Sequence, residues 1–212
     1  MANATKKKRP RFYTPTCISH WPWLMTPDTK FDEAGVYKVD LEMSDAQVTE
    51  LQKQLVQEVA DQEADLRKTD PKKMGKWKIV WPVKDQNDND GNPTGMKLVS
   101  FSQKAKVVIA GKPDLVFTVQ CFDSKKNPVS PTLKLGSGTE MKLCFQVRVV
   151  PDNLSKCIRV KLHPLAAQLI KVVEYSGGSD FGFAEEAGFE AVPVSEATEP
   201  AKGPQPSDNP DF

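Results

Sequence analysis

The feature that most constrains the fold is a series of short strand-like segments interrupted by a single helical pattern. The segment 12–25 is aromatic and β-branched but broken by two prolines, which is typical of an edge strand or an irregular first strand. Strand-like runs then follow at 35–41, 76–83, 96–109, 115–123, 140–150 and 157–175. Strands that do not alternate with helices disfavour a parallel doubly wound sheet. The series predicts a small closed or partly open antiparallel β-barrel.

The one helical pattern begins at Ser44, which has the spacing of a capping box with Gln47. Apolar residues then repeat every three or four positions at Val48, Leu51, Leu55 and Val59, and the pattern runs on through Leu66. Pro71 ends the run, because proline lacks the amide hydrogen that a helix interior needs. The fold class is therefore mainly β with one inserted amphipathic α-helix.

Charge is divided unevenly along the chain. The 212 residues have a net charge of +1, yet residues 176–212 contain eight acidic side chains against one lysine, which leaves +8 on the first 175 residues. We divide the chain into a basic disordered arm (1–11), a folded domain (12–175) and an acidic disordered tail (176–212). The arm either lies along phosphates or only keeps the chain in solution. A basic body with an acidic tail indicates a polyanionic ligand for which the tail competes.

The sequence lacks the motifs of several classes of enzyme and metal site. It contains no G-x-x-x-x-G-K-[ST] phosphate loop, no G-x-S-x-G elbow and no convincing carboxylate set for a divalent metal in the folded part. The cluster of Asp85, Asp88 and Asp90 lacks the glutamate of a calcium loop and is interpreted as a polar hairpin loop. We expect a protein that is not an enzyme, with no catalytic residue, metal site or cofactor. No apolar run approaches the roughly 18 to 20 residues of a membrane helix, and the four cysteines are expected to be reduced thiols.

Aromatic residues interleaved with lysine and arginine occur along the predicted strands. Binding of single strands without sequence preference needs flat π faces for the bases and cations for the backbone. The candidate DNA-binding residues are Lys38, Lys76, Trp77, Lys78, Trp81, Lys97, Phe101, Lys104, Lys106, Arg148 and Arg159. Trp77, Trp81 and Phe101 have the most basic neighbours and are expected to be exposed. Phe117, Phe145 and Val147 are assigned to the core, and the alternative is that all these aromatics pack a core while the lysines face water.

The last five residues combine acidic side chains with an aromatic one. Asp208 and Asp211 precede Phe212, so that a bare phenylalanine closes an acidic segment. An acidic peptide with an aromatic anchor is suited to a basic pocket on another protein. We expect these three residues to bind a partner, and the alternative is a tail that only solubilises the chain.

An ordered set of short motifs resembles a known family. The motifs are Gly35-Val36-Tyr37-Lys38-Val39-Asp40-Leu41, the Asp123-Ser124-Lys125 turn, the Gly136-Ser137-Gly138 turn before Met141-Lys142-Leu143, Val160-Lys161-Leu162 with Val172-Val173-Glu174, and the ending Asp211-Phe212. In this order they resemble the single-stranded DNA-binding proteins of short-tailed lytic phages of the T-seven-like group. The resemblance covers most of the chain from about Gly35 onward.

This resemblance implies an OB-fold with a helix inserted among its strands. It implies protection of single-stranded DNA during phage DNA replication, recombination and repair, and help in annealing complementary strands. The implied partners are single-stranded DNA, the phage DNA polymerase and helicase-primase through the tail, and a second copy in a homodimer, all in the cytoplasm of the infected bacterial host. Ala34 departs from the family, which carries a basic residue at this position.

Two other classes of protein remain open at this stage. One is a non-enzymatic scaffold or interaction protein whose barrel binds no nucleic acid and whose tail recruits partners. The other is an RNA-binding protein on the same OB-fold, which would show a strong preference among oligonucleotides and would tolerate ribose.

Overall fold

The computed structural model describes residues 9–88, 90–109 and 111–175. In chain order the elements are β1 (Phe12–Tyr13), β2 (Cys17–Asp28), β3 (Val36–Met43), α1 (Asp45–Thr69), α2 (Pro71–Met74), β4 (Ile79–Val80), β5 (Val83–Asn87), β6 (Pro93–Lys104), β7 (Lys106–Val107), β8 (Leu115–Val116), β9 (Gln120–Phe122), β10 (Glu140–Asp152) and β11 (Cys157–Lys171). The predicted tail at 176–212 and most of the predicted arm lie outside the described residues.

Five strands close into a ring in the order β2, β3, β6, β11 and β10, with β10 returning to β2. The β6–β11 contact is parallel, and the other contacts of the ring are antiparallel. A ring with an odd number of strands cannot alternate direction all the way round, so at least one contact must be parallel. The predicted small barrel is confirmed, and its arrangement is that of an OB-type barrel.

The interior of the barrel is filled by alternate residues of the ring strands. On β3 the inward side chains are Tyr37, Val39, Leu41 and Met43. Phe101 of β6 and Phe145 of β10 meet edge to face in this interior, with ring centroids 5.1 Å apart. Each fully buried side chain of this kind contributes roughly 1.5–3 kcal/mol relative to an exposed one. The assignment of Phe145 and Val147 to the core is confirmed, whereas Phe117 is only partly buried.

Helix α1 begins where the capping box predicts. The Ser44 side chain accepts a hydrogen bond from the Gln47 amide, and the Gln47 side chain accepts one from the Ser44 amide. The buried residues of the helix are Val48, Leu51, Leu55 and Val59. Gln62 fixes the helix to β10, because its side chain donates to the Val147 carbonyl and accepts from the Val149 amide. The helix therefore packs against the barrel as one amphipathic element.

Strand β2 changes the face it presents half-way along its length. Cys17 and Ser19 point inward at its start, but Pro22 and Leu24 point inward further on. The change occurs at a register shift between His20 and Trp23, where Trp21 adopts a left-handed backbone with φ of 46°. One extra residue in a strand shifts every following side chain to the other face. Trp21 and Trp23 are therefore both directed outward.

Candidate nucleic-acid interface

Five of the predicted DNA-binding cations form ion pairs with carboxylates of the same chain. The pairs are Lys38 with Asp28, Lys97 with Asp85 and Asp45, Lys104 with Asp32, Lys106 with Asp114, and Arg159 with Asp152. Hydrogen bonds from Ser155 and Arg159 lower the pKa of Asp152 to about 2, so this carboxylate stays ionised. A cation that already has an anionic partner adds little net positive potential for phosphate.

The expected exposure of the predicted aromatics is only partly met. Phe101 is fully buried, and its prediction as an exposed stacking residue is wrong. Its register partner on β3 is the inward residue Val39, while Ser100 and Ser102 take the outer face of β6. Trp77 and Trp81 are partly buried and pack against the core cluster, although Lys76 and Lys78 are exposed on either side of Trp77.

A group of cations that have no carboxylate partner among the described residues lies on the outer face of β10 and β11. Arg148 of β10 stands directly opposite Lys161 of β11 in the register. Arg9 joins them through its carbonyl, which accepts a hydrogen bond from the Gln146 side chain at 3.2 Å. Lys142 lies on the same outer face of β10, six residues before Arg148 and so roughly 20 Å away. We call Arg9, Lys142, Arg148 and Lys161 the cationic strip.

The cationic strip produces a locally positive potential. None of the ion pairs formed within the described ranges includes any of its four members. The pKa of the neighbouring His163 falls to about 4, because of its burial and because Arg148, Lys161 and Arg9 oppose a further positive charge. Burial and Arg9 also lower the pKa of Arg148. Like charges that face each other across two strands destabilise a sheet, so an arrangement of this kind is suited to an anion that bridges them.

A second surface is a cleft of about 730 Å³ between β2 and residues 131–137. Its walls include Trp21, Trp23, Leu133, Lys134, Ser137 and Tyr175, and we call it the tryptophan cleft. Trp21 is 60% exposed and Trp23 is 42% exposed, in contrast to the partly buried Trp77 and Trp81. Among the described residues that line the cleft, Lys134 is the one charged residue and none is a carboxylate.

The sequence carried signals for both surfaces that our prediction did not use. Trp21 and Trp23 flank Pro22, and residues two apart in a strand share one face. Lys142 and Arg148 are separated by an even number of residues within one predicted strand, which places them on the same face. No local pattern could show that Lys38 and Lys104 pair with carboxylates, because their partners are distant in sequence. Asp28 ends β2, and Asp32 lies in the loop between β2 and β3.

The described residues contain no group of three or more His, Cys, Asp or Glu side chains placed to hold a metal ion. All four cysteines are free thiols. In the same part of the chain, no helix is both long enough and apolar enough to cross a membrane.

Comparison with known proteins gives matches only at the level of structure. No family model matches the chain, and the search of curated protein sequences found no match. The crystal structure of gp2.5, a single-stranded DNA-binding protein encoded by bacteriophage T7, superposes with a TM-score of 0.62 and 20% identity over 87% of this chain and 100% of that one. The chain has the fold of a phage single-stranded DNA-binding protein.

A second phage protein with the same fold supports this assignment. The single-stranded DNA-binding protein from bacteriophage Enc34, solved in complex with single-stranded DNA, superposes with a TM-score of 0.52 and 13% identity over 79% of this chain and 89% of that one. Another structure of the Enc34 protein gives the same TM-score over 80% of this chain and 86% of that one. The resemblance carried by the ordered motifs is therefore confirmed for the fold.

Proposed function

We propose that this protein binds single-stranded DNA without sequence preference and that the cationic strip holds the phosphate backbone. The observation that carries the proposal is the pair Arg148 and Lys161, which face each other across β10 and β11 and have no carboxylate partner among the described residues. Arg9 and Lys142 extend the same outer face to a length of roughly 20 Å, which suits an extended strand rather than a single small anion. The shared fold with phage proteins that bind single-stranded DNA supports the same ligand.

The mechanism is electrostatic at this surface. Each phosphate that a lysine or arginine neutralises releases condensed counterions, and the affinity for a single strand falls with salt with a slope of about −0.7 per phosphate. Four strip cations therefore predict a slope of about −3 in a plot of log K against log salt concentration. Base identity does not enter this term, so binding through the strip carries no sequence preference.

The wider role forms part of the same proposal. A protein that coats single strands protects them during phage replication, recombination and repair and aids their annealing, in the cytoplasm of the infected host. The acidic tail, through Asp208, Asp211 and Phe212, contacts the phage DNA polymerase and helicase-primase, and two copies form a homodimer. The resemblance to the T-seven-like proteins supports these roles, and the net charge of −7 on residues 176–212 supports competition between tail and DNA.

The test compares two variants that remove the same charge. Arg148→Gln with Lys161→Gln changes the strip, while Lys104→Gln with Lys106→Gln removes two lysines that are already paired with Asp32 and Asp114. Titration with oligothymidine at several salt concentrations gives the slope of log K against log salt concentration. For the strip variant this slope should be shallower by about 1.4. The control variant should leave the slope nearly unchanged.

Each outcome assigns the protein to one class. Equal changes in slope for the two variants would contradict a site at the strip. If the unmodified chain shows no saturable binding to oligothymidine at moderate salt, the protein is a scaffold of the kind considered above. A strong preference for one ribo-oligonucleotide sequence would instead indicate an RNA-binding protein.

A further inference from the structure

We propose that the turn between β10 and β11 binds the junction between duplex and single-stranded DNA, with Leu154 as a wedge against the last base pair. The inference rests on the proposed function, because the single strand at such a junction must be the one that the cationic strip holds. It adds a substrate that the strip does not select. The strip contacts phosphates, whereas the turn recognises the place where a duplex opens.

Leu154 lies at the tip of this turn and is almost wholly exposed. Its exposed fraction is 94%, the highest among the large apolar side chains of the described residues. A leucine exposed to this extent adds nothing to the stability of the fold, since an apolar side chain stabilises a protein where it leaves water. Single exposed apolar residues are common on protein surfaces, and what distinguishes Leu154 is the turn that presents it.

Hydrogen bonds hold the turn in one conformation. The Asp152 carboxylate accepts from the amides of Leu154 at 3.0 Å and Ser155 at 3.2 Å, and it also accepts from the Arg159 guanidinium at 2.6 Å. Arg159 donates in addition to the Ser155 hydroxyl at 3.1 Å. Lys156 closes the turn with a left-handed φ of 50°, which persists where the surrounding structure determines it. Leu154 is therefore presented from a fixed backbone, so that little backbone entropy is lost when a ligand contacts it.

The turn lies at the end of the cationic strip. Beyond the pair of Arg148 and Lys161, the next outward pair in the register is Val150 and Arg159, and the turn follows. Strand β10 ends four residues after Arg148, which is a distance of roughly 13 Å. A single strand whose backbone lies along the strip therefore runs toward Leu154.

The charges around the turn are suited to the phosphates of a second strand. Lys156 in the turn and Lys78 beside it are both exposed, and no ion pair within the described ranges includes either of them. Lys78 lies next to the turn because its carbonyl accepts a hydrogen bond from the Ile158 amide at 2.9 Å. The carboxylate of Asp152 is paired with Arg159 and so adds little negative potential. An apolar tip flanked by free cations matches a DNA junction better than an apolar pocket on a protein.

The wedge acts on the last base pair of the duplex. Proteins that open base steps insert apolar side chains, leucine among them, and partly unstack the bases. At a junction one face of the last pair is already free of a stacked neighbour. Complete burial of a leucine strengthens binding by about 10- to 150-fold, and contact with one face of a base pair buries part of the side chain. We therefore expect the turn to raise affinity for a junction by about 3- to 10-fold.

The experiment uses the full chain and the variants Leu154→Asn and Leu154→Met, of which the second keeps an apolar wedge. Val108→Asn is the matched control, because Val108 is 70% exposed and lies next to β7, which pairs with β8 in a separate sheet outside the ring. The probes are oligothymidine and two DNA hairpins that carry an oligothymidine tail of the same length at one end or the other. A fluorescent adenine analogue in the last base pair of the stem reports unstacking.

We expect the unmodified chain to bind one of the tailed hairpins about 3- to 10-fold more tightly than oligothymidine, with a rise in the fluorescence of the analogue. Leu154→Asn should remove both effects. Its affinity for oligothymidine, its salt slope and its urea unfolding should stay as in the unmodified chain, because Leu154 is neither in the strip nor in the core. Leu154→Met should keep most of both effects, and Val108→Asn should behave as the unmodified chain does.

Two results would overturn the junction site while leaving the proposed function intact. One is an affinity of the unmodified chain for both tailed hairpins that is no higher than its affinity for oligothymidine. The other is a preference for a tailed hairpin that Leu154→Asn leaves unchanged. Failure of the proposed function is distinguishable, since then the unmodified chain does not bind oligothymidine.

Discussion

Acidification from pH 7 to pH 5 should destabilise the folded protein through His163. The pKa of this imidazole falls from its ordinary value of 6.5 to about 4 because of burial and because Arg148, Lys161 and Arg9 face it. The unfolded chain therefore binds more protons than the folded chain between pH 6.5 and pH 4. Stability that is present above pH 6.5 is lost as the pH falls through this window.

The magnitude follows from the same two pKa values. The two pKa values differ by 2.5 units, which limits the loss of unfolding free energy on acidification to about 3.4 kcal/mol. Roughly 2 kcal/mol of this loss has occurred by pH 5. His163 is only partly buried, so solvent screening reduces the expected loss to about 1 kcal/mol. Burial is the larger cause of the lowered pKa of His163, and repulsion by the cationic strip adds to it. Phosphate bound to the strip should therefore make the loss smaller.

Urea unfolding at pH 7 and pH 5 tests this reasoning. The His163→Gln variant should lose less stability on acidification than the unmodified chain, by about 1 kcal/mol. His20→Gln is the matched control, since the chain has two histidines and His20 lies 2.9 Å from the Glu42 carboxylate, away from the strip. If His163→Gln lost as much stability as the unmodified chain, the positive potential we assign to the strip would be refuted.

The remaining predictions concern the core, the helix start and the acidic tail. Phe101→Ala should lower the free energy of unfolding by about 3–5 kcal/mol without changing the salt slope of DNA binding, because the Phe101 ring is buried beside Phe145. A loss below 1 kcal/mol in urea unfolding would contradict the core position of Phe101. Ser44→Ala should cost about 1 kcal/mol in the same assay, and Ser44→Asp, which keeps an accepting oxygen, should cost less. Removal of residues 176–212 should tighten oligothymidine binding at low salt, because a tethered segment of charge −7 competes for the strip; equal affinity with and without these residues would argue against competition.

Local patterns predicted the elements whose causes are local. Ser44, Gln47 and the apolar repeat up to Val59 define α1 because capping and helical periodicity act within a few residues. The alternation around Tyr37 and Val39 likewise predicted β3, since a strand with one buried face alternates with period two. These signals needed no knowledge of the rest of the chain.

The errors concern features that depend on distant parts of the chain. Phe101 has basic neighbours in sequence, but its face is set by pairing with Val39 on β3. Lys104 and Lys38 are cations in a strand pattern, yet Asp32 and Asp28 partly cancel their charge after folding. The spacing of Trp21 and Trp23 indicates that they share a face, but which face is set by a single left-handed residue that reverses the alternation of β2, and such a reversal has no marker in composition.

The closure of the ring has a consequence for how the chain reaches its native state. Strand β10 returns to β2 through Glu140 and Met141, which pair with Ile18 and Cys17 near the start of the domain. Contacts between such distant positions give a high contact order, and domains of this kind fold slowly, in milliseconds to seconds. Until β10 has been synthesised, β2 has an unpaired edge that can pair with other chains. We therefore expect ribosome-bound fragments that end before Glu140 to depend on chaperones, and this dependence to end once β10 and β11 have left the ribosome.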